Sequence, residues 1–329
     1  MSDNFLHNLL QTFPKSWVIT LSAPKIELGI LTAVCQYLAE QSPAMRILYQ
    51  RTLIDELDWQ ANTELSQAEQ TSPVTTLQWF VEGETTDSFA HQLKQQFKSL
   101  NLPMDVNILP LATLLAPKKL ALFDMDSTLI EQEVIVELAK KAGVGEQVAV
   151  ITESAMRGEI DFAESFTRRV GLLKGLSKDV LDDIIQNNIT FSLGAKRLIR
   201  TLKNHGYHVI LVSGGFSYFA EFVKRELGID EIYANELDIV DGHLTGKITS
   251  SIVDGERKAE ILQAIAQRLN IDLSATVAVG DGANDLPMLG LAGIGIAYRA
   301  KPVVRAQADF AINIEGLDGV LAILGLASS

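Results

Sequence analysis

Residues 121–130 read A-L-F-D-M-D-S-T-L-I. An apolar run of strand length, Leu120–Phe123, ends on two aspartates, Asp124 and Asp126. Side chains at i and i+2 of extended chain point to the same side, so both carboxylates face one spot. Two such charges at ~4 Å repel by roughly 1 kcal/mol in water and by several in a drier site. A divalent cation removes the conflict, and Mg²⁺ prefers carboxylate oxygens while keeping waters and phosphate as further ligands. The pair reads as an acidic site at the end of a buried strand.

Apolar runs of strand length recur downstream at Val209–Val212, Thr276–Val279, Ile294–Ala297 and Phe310–Ile314. Helical stretches lie between several of them. Strands apolar throughout and alternating with helices predict an α/β, doubly wound parallel sheet covered on both faces. In such sheets ligands bind at the carboxyl ends of the strands. Between the first two strands, Glu131–Asn188 reads as helices alone, over roughly 131–142, 146–157, 161–173 and 177–188. A crossover needs only about a dozen residues. This stretch is therefore an insertion, a helical cap at about 131–192, placed to act as a lid.

Three more polar clusters follow the same rule. Ser213-Gly214-Gly215-Phe216 ends the second strand, and glycines let backbone N–H groups approach an anion; a tight turn is the other reading. Lys258 falls just inside a helix starting near Gly255. Alone it would be a solvated surface lysine. Gly280-Asp281-Gly282-Ala283-Asn284-Asp285 follows Thr276–Val279 and adds two carboxylates and an amide in a glycine turn.

Upstream, residues 1–115 read as a separate unit. The pattern is strand Ser16–Ala23, helix Ile26–Gln41, strand Met45–Leu53, strand Thr76–Gly83, helix Asp87–Leu100 and strand Met104–Leu109. That β-α-β-β-α-β order is ferredoxin-like α+β, and it resembles ACT-type regulatory domains. Asp55–Pro73 is polar and reads as a loop or linker. Leu109–Lys119, with Pro110 and Pro117, reads as the connector to a second unit over 116–329.

Composition sets the outer limits. The 329 residues are 47% hydrophobic and 21% charged, enough for sizeable cores. A net charge of −13 repels nucleic acid and anionic membranes. A small anionic substrate then needs a local positive site. No apolar stretch nears the ~18–20 residues of a span, and no signal-peptide pattern opens the chain. The expected setting is the cytoplasm. The single cysteine, Cys35, rules out an intramolecular disulfide and reads as a core residue of an apolar helix.

D-x-D-x-T, then S-G-G, then Lys258, then G-D-G-A-N-D, in this order and each after its strand, resembles the haloacid dehalogenase superfamily of phosphotransferases over about residues 118–329. Within it, Met156-Arg157-Gly158-Glu159-Ile160-Asp161-Phe162 and Arg168-Arg169-Val170-Gly171-Leu172-Leu173-Lys174-Gly175 resemble the cap of the phosphoserine phosphatase family, as do Glu133 and Ala234-Asn235-Glu236-Leu237. Val136 departs from an acidic residue frequent in relatives.

The resemblance implies Mg²⁺-dependent hydrolysis of O-phospho-L-serine, the last step of phosphorylated serine biosynthesis, through a phospho-aspartate. It implies Asp124 as nucleophile and Asp126 as general acid–base. The metal would be held by Asp124, the backbone carbonyl of Asp126 and Asp281, with Asp285 behind it. Ser213, Gly214 and Asn284 would hold phosphate, and Lys258 would offset charge. Glu133 would take the ammonium and Arg169 the carboxylate, with Met156 and Phe162 closing over the substrate. Asp126 should titrate high in the free site, pushed up by Asp124, while bound Mg²⁺ would pull it down. Another phosphatase, a phosphomutase and a non-catalytic sensor stay open, as do dimerisation through sheet edges and the role of the first half.

Overall fold

The computed structural model describes residues 3–23, 46–54, 75–82 and 104–326, with 26, 29, 31–32, 34–36 and 95. The parallel sheet follows from the apolar runs. β5 (Leu120–Phe123), β6 (His208–Phe216), β7 (Glu231–Asn235), β10 (Thr276–Gly280), β11 (Ile294–Tyr298) and β12 (Phe310–Ile312) form one sheet in the order β12-β11-β10-β5-β6-β7. Its pairings are parallel. After β5 the chain goes first to one side and later to the other, so the end of β5 is the topological switch point.

Alternation splits each strand between two cores. Ala121, Phe123, Val209, Leu211, Val277 and Val279 face one layer. Leu120, Leu122, Ile210, Val212 and Ala278 face the other, against Ile261, Leu262 and Ile265 of the helix Gly255–Arg268. Burial on both faces is why these strands read as unbroken apolar runs.

The cap comprises helices Val134–Lys141, Gly145–Met156, Phe162–Gly171 and Asp179–Asn187. The antiparallel hairpin of β8 (Leu237–Val240) and β9 (His243–Ile248) packs on it through a Ser177–His243 bridge. Neither β7 nor this hairpin stands out in the sequence. β7 is a half-buried edge strand with polar ends, and so has no sharp apolar run.

In the first half, β1 (Ser16–Ala23), β2 (Arg46–Ile54), β3 (Thr75–Glu82) and β4 (Asp105–Pro110) pair antiparallel in the order β2-β3-β1-β4. That matches the ferredoxin-like expectation. A helix over Asp3–Thr12 precedes it, which the sequence reading lacks, and a short helix, Leu111–Leu115, lies in the connector. Of the expected helix Ile26–Gln41, residues 29, 31–32 and 34–36 are described and helical; of Asp87–Leu100, only residue 95. The expected loop Asp55–Pro73 lies outside the described residues. Cys35 is exposed rather than in the core, because Val34 beside it takes the buried position.

The two halves are joined by buried polar contacts. One face of the small sheet carries Thr20, Gln78, Asp105 and Asn107, all at most 3% exposed. Gln78 Nε2 donates to Ala322 O at 3.1 Å. Asn107 both donates to Ala311 O and accepts from Ala311 N–H, each at 3.0 Å. Asp105 accepts from the backbone N–H groups of Asn313 and Ile314, each at 2.9 Å. This is why β12 stops at Ile312, short of the expected Ile314: those amides bond to a side chain instead of a strand.

Candidate active site

The turn after β5 builds the first wall. Ser127 takes a left-handed conformation, φ 56°, sparsely allowed for a non-glycine residue. The turn brings Glu133 back, so that Ser127 Oγ donates to Glu133 Oε1 at 3.0 Å. Glu133 precedes the cap helix Val134–Lys141, and the Val134 N–H donates to Asp126 Oδ1 at 2.8 Å.

β6 supplies the second wall and differs from expectation. The strand continues through Ser213-Gly214-Gly215 to Phe216, with a register shift against β7. Neither glycine has positive φ. They are needed for space: a Cβ on Gly215 would lie 2.5 Å from Asp126 Oδ2, and one on Gly214 3.2 Å from the Phe162 ring. Asn235, fully buried, supports this stretch by donating to Gly214 O at 2.8 Å and accepting from the Val253 N–H at 2.9 Å. Sequence reading assigned Asn235 no role.

Lys258 enters from below. Its side chain is fully buried, and Nζ donates to Asp124 Oδ1 at 2.7 Å and Asp285 Oδ1 at 2.6 Å. Asp285 Oδ2 also accepts from the Gly282 N–H at 2.9 Å. Asp124, Asp281 and Asp285 present carboxylate oxygens within 4.8 Å of one another, an arrangement able to hold a metal ion. Asp126 is not in that trio through its carboxylate, which Val134 and Ser213 hold.

Charge in this cluster is unbalanced. Burial, then Asp285, lifts the Asp124 carboxyl well above the usual carboxylate range, against the pull of Lys258. Burial, then Glu133, lifts Asp126 to about 7. The direction matches the expectation, but the cause is burial and Glu133 rather than Asp124. Burial, Asp285 and Glu133 lift Asp281 to about 7, with Lys301 opposing. Burial alone would lower Lys258, but Asp124 and Asp285 outweigh it and hold the ammonium above the ordinary lysine range. A group of carboxylates this crowded suits a hard cation.

Above them opens a cavity of about 520 Å³. Asp124, Asp126, Glu133, Met156, Phe162, Arg169, Gly214, Asp281 and Asn284 line it. Ser213, Lys258 and Asp285 are fully buried and do not line it. Ser213 Oγ accepts from the Gly215 N–H at 2.8 Å and sits 3.4 Å from Asp126 Oδ2. Met156, at the end of the cap helix Gly145–Met156, lines the cavity yet is 67% exposed. Burial lowers the Arg169 guanidinium, while Glu133 and Asp126 raise it. The cavity also reaches Ser165 and Lys301, which sequence reading missed. Nothing in their local sequence marks them out; only the fold brings them here.

A family model for haloacid dehalogenase-like hydrolases matches residues 121–290. A structure of a HAD-family hydrolase from Salmonella enterica serovar Typhi superposes with a TM-score of 0.77 at 32% identity, over 93% of this chain and 98% of that one. The chain belongs to the haloacid dehalogenase-like hydrolases. Two relatives are more specific. An Archaeoglobus fulgidus protein named phosphoserine phosphatase is 50% identical over 225 residues, 68% of this chain and 65% of that protein. A Schizosaccharomyces pombe protein named probable phosphoserine phosphatase is 51% identical over 225 residues, 68% of this chain and 75% of that protein. The match thus spans just under two thirds of the archaeal relative and three quarters of the yeast one. Among the described residues, no helix is long and apolar enough to cross a membrane.

Proposed function

We propose that this chain hydrolyses O-phospho-L-serine to L-serine and phosphate through a phospho-aspartate, as the last step of phosphorylated serine biosynthesis. One observation carries the reading. Two neighbouring carboxylates stand at the switch point with different partners: Asp124 Oδ1 accepts from the buried Lys258 ammonium at 2.7 Å, while Asp126 Oδ1 accepts from the Val134 N–H at 2.8 Å beside the cap. A carboxylate held beside a fixed cation and one held at the cap suit a nucleophile and an acid–base partner.

Asp124 attacks phosphorus with the edge that Lys258 leaves free. Asp126, whose carboxyl is lifted above the usual carboxylate range by burial and Glu133, donates to the departing serine oxygen and then takes a proton from the attacking water. Such catalysis is worth ~10²–10⁴-fold. Gly214 N–H and Asn284 hold phosphate oxygens. Ser213, whose hydroxyl accepts from the Gly215 N–H at 2.8 Å and donates only over 3.4 Å to Asp126, turns its proton to the phosphate when the ester enters. Mg²⁺ is the ion that the carboxylates suit; Asp124, Asp281 and the Asp126 carbonyl would hold it, with Asp285 bracing Lys258, and it would supply neutralising charge for the phosphoryl group. Glu133 takes the substrate ammonium and Arg169 its carboxylate, with Met156 and Phe162 covering them.

The same reading divides the chain into an ACT-like regulatory or dimerisation unit over 1–115 and a phosphatase unit over 116–329, with its cap at about 131–192. Separate sheets support the division. A homodimer through a sheet edge fits, since among the described strands β2 and β4 each pair on one side only within the small sheet. A cytoplasmic setting fits the proposed biosynthetic step and a chain whose one cysteine forms no internal disulfide. The test is an acid quench during turnover followed by peptide mass spectrometry. An acyl phosphate on the peptide carrying Asp124 supports the reading, and turnover with phosphate on another residue refutes the nucleophile.

A further inference from the structure

The helix Phe162–Gly171 carries Ser165 one turn before Arg169, on the same face. Ser165 lines the cavity, yet is only 1% exposed. Its Oγ has no hydrogen-bond partner. A helical serine ordinarily donates to the carbonyl four residues back. Here Asp161 O takes the Ser165 N–H at 3.0 Å and does not receive the hydroxyl. A buried hydroxyl left in this state is uncommon. Because this one borders a cavity, a ligand can supply the missing partner.

The neighbours define that partner. Arg169 Nε donates to Ser165 O at 3.3 Å, so the serine's own carbonyl orients the guanidinium. Arg169 has donors only, and no carboxylate hydrogen-bonds it among the described residues. The serine hydroxyl and the arginine fork therefore adjoin one volume, walled by Phe162 and Phe166, whose rings stack at 6.1 Å. An ammonium would be repelled by Arg169 and drawn to Glu133. A phosphoryl group belongs at the floor, by Asp124. An acceptor-only anion at the cap end fits both groups.

We propose that Ser165 is a specificity-determining residue, whose hydroxyl donates to the α-carboxylate of an amino-acid phosphomonoester held by Arg169. The proposal rests on the amino-acid phosphate reading above. It adds a second, uncharged donor to the carboxylate subsite. The subsite then tests for geometry as well as charge: an anion that meets Arg169 without reaching Ser165 leaves the hydroxyl buried and unsatisfied.

The test uses the full chain with Mg²⁺ and compares O-phospho-L-serine with O-phosphoethanolamine, which lacks only the carboxylate. Ser165→Ala should raise KM for phosphoserine about tenfold, the size of one hydrogen bond to a charged group, with a much smaller change in kcat. KM for phosphoethanolamine should change less than about twofold. The free variant should melt no lower than wild type, since a buried unsatisfied donor has been removed. Ser165→Cys, a weaker donor of similar size, should fall between the two. Equal rises in KM on both substrates, or none on phosphoserine, would overturn the role of Ser165 alone. A wild-type enzyme that cleaves both substrates equally well would overturn the amino-acid reading, and this proposal with it.

Discussion

Lys258 Nζ lies 2.7 Å from Asp124 Oδ1 with none of the lysine side chain exposed, and the same nitrogen bonds Asp285 at 2.6 Å. One buried cation thus bridges the carboxylate at the end of β5 and one from the loop after β10. Removing it leaves two buried carboxylates facing each other. Breaking a buried pair from one side costs about 3–5 kcal/mol. Lys258→Met should destabilise the metal-free protein by that order in denaturant titration. Adding Asp285→Asn should restore part of the loss. Additive losses from the two changes would mean that the contact is not an energetic unit.

Asp124→Asn keeps the volume and removes a buried charge whose pKa is already raised. Turnover should vanish while the fold stays. At pH 8 and without metal, the variant should melt no lower than wild type. Measurable turnover in a preparation free of wild-type enzyme would refute Asp124 as nucleophile.

Metal affinity and stability should be linked through pH. Asp126 and Asp281 titrate at about 7 in the folded chain, against about 4 when unfolded. A raised carboxylate favours folding fully below the unfolded value, and that advantage is lost as pH rises through about 7. The metal-free protein should therefore lose stability between about pH 4 and 7 from these groups. Mg²⁺ needs the deprotonated forms. Its shift of the melting temperature should be larger at pH 8 than at pH 5.5; an equal shift at both would contradict the link.

Asp105→Ala tests the joint between the halves. It strips acceptors from the N–H groups of Asn313 and Ile314, in a residue 3% exposed. Buried donors left unmet cost ~1–3 kcal/mol each, so a loss of about 2–4 kcal/mol is expected in chemical denaturation. A loss below about 0.5 kcal/mol would mean that the halves do not depend on this contact.

Much of this was legible because burial writes itself into composition. Leu120–Phe123 and Thr276–Val279 are covered on both faces and read as apolar runs. The aspartates that end them contradict that pattern and stand out. The glycines of β6 were legible, but their reason was not, because the crowding by Asp126 lies 89 positions away in sequence from Gly215. Contacts such as Asp105 with Ile314, 209 residues apart, leave no local trace. Ser165 reads like any helical serine until its lack of a partner is visible in three dimensions. β7 and the β8–β9 hairpin were missed since half-burial blurs their alternation.

Phosphate release from O-phospho-L-serine, O-phospho-L-threonine and a phosphosugar, with and without Mg²⁺, is the decisive measurement. Release should depend on Mg²⁺ and show a clear preference in kcat/KM for phosphoserine, lost on Arg169→Ala mainly through KM. Release that prefers the phosphosugar would keep Asp124 and Asp126 but contradict the amino-acid subsite. No release from any of the three would contradict the phosphatase reading itself.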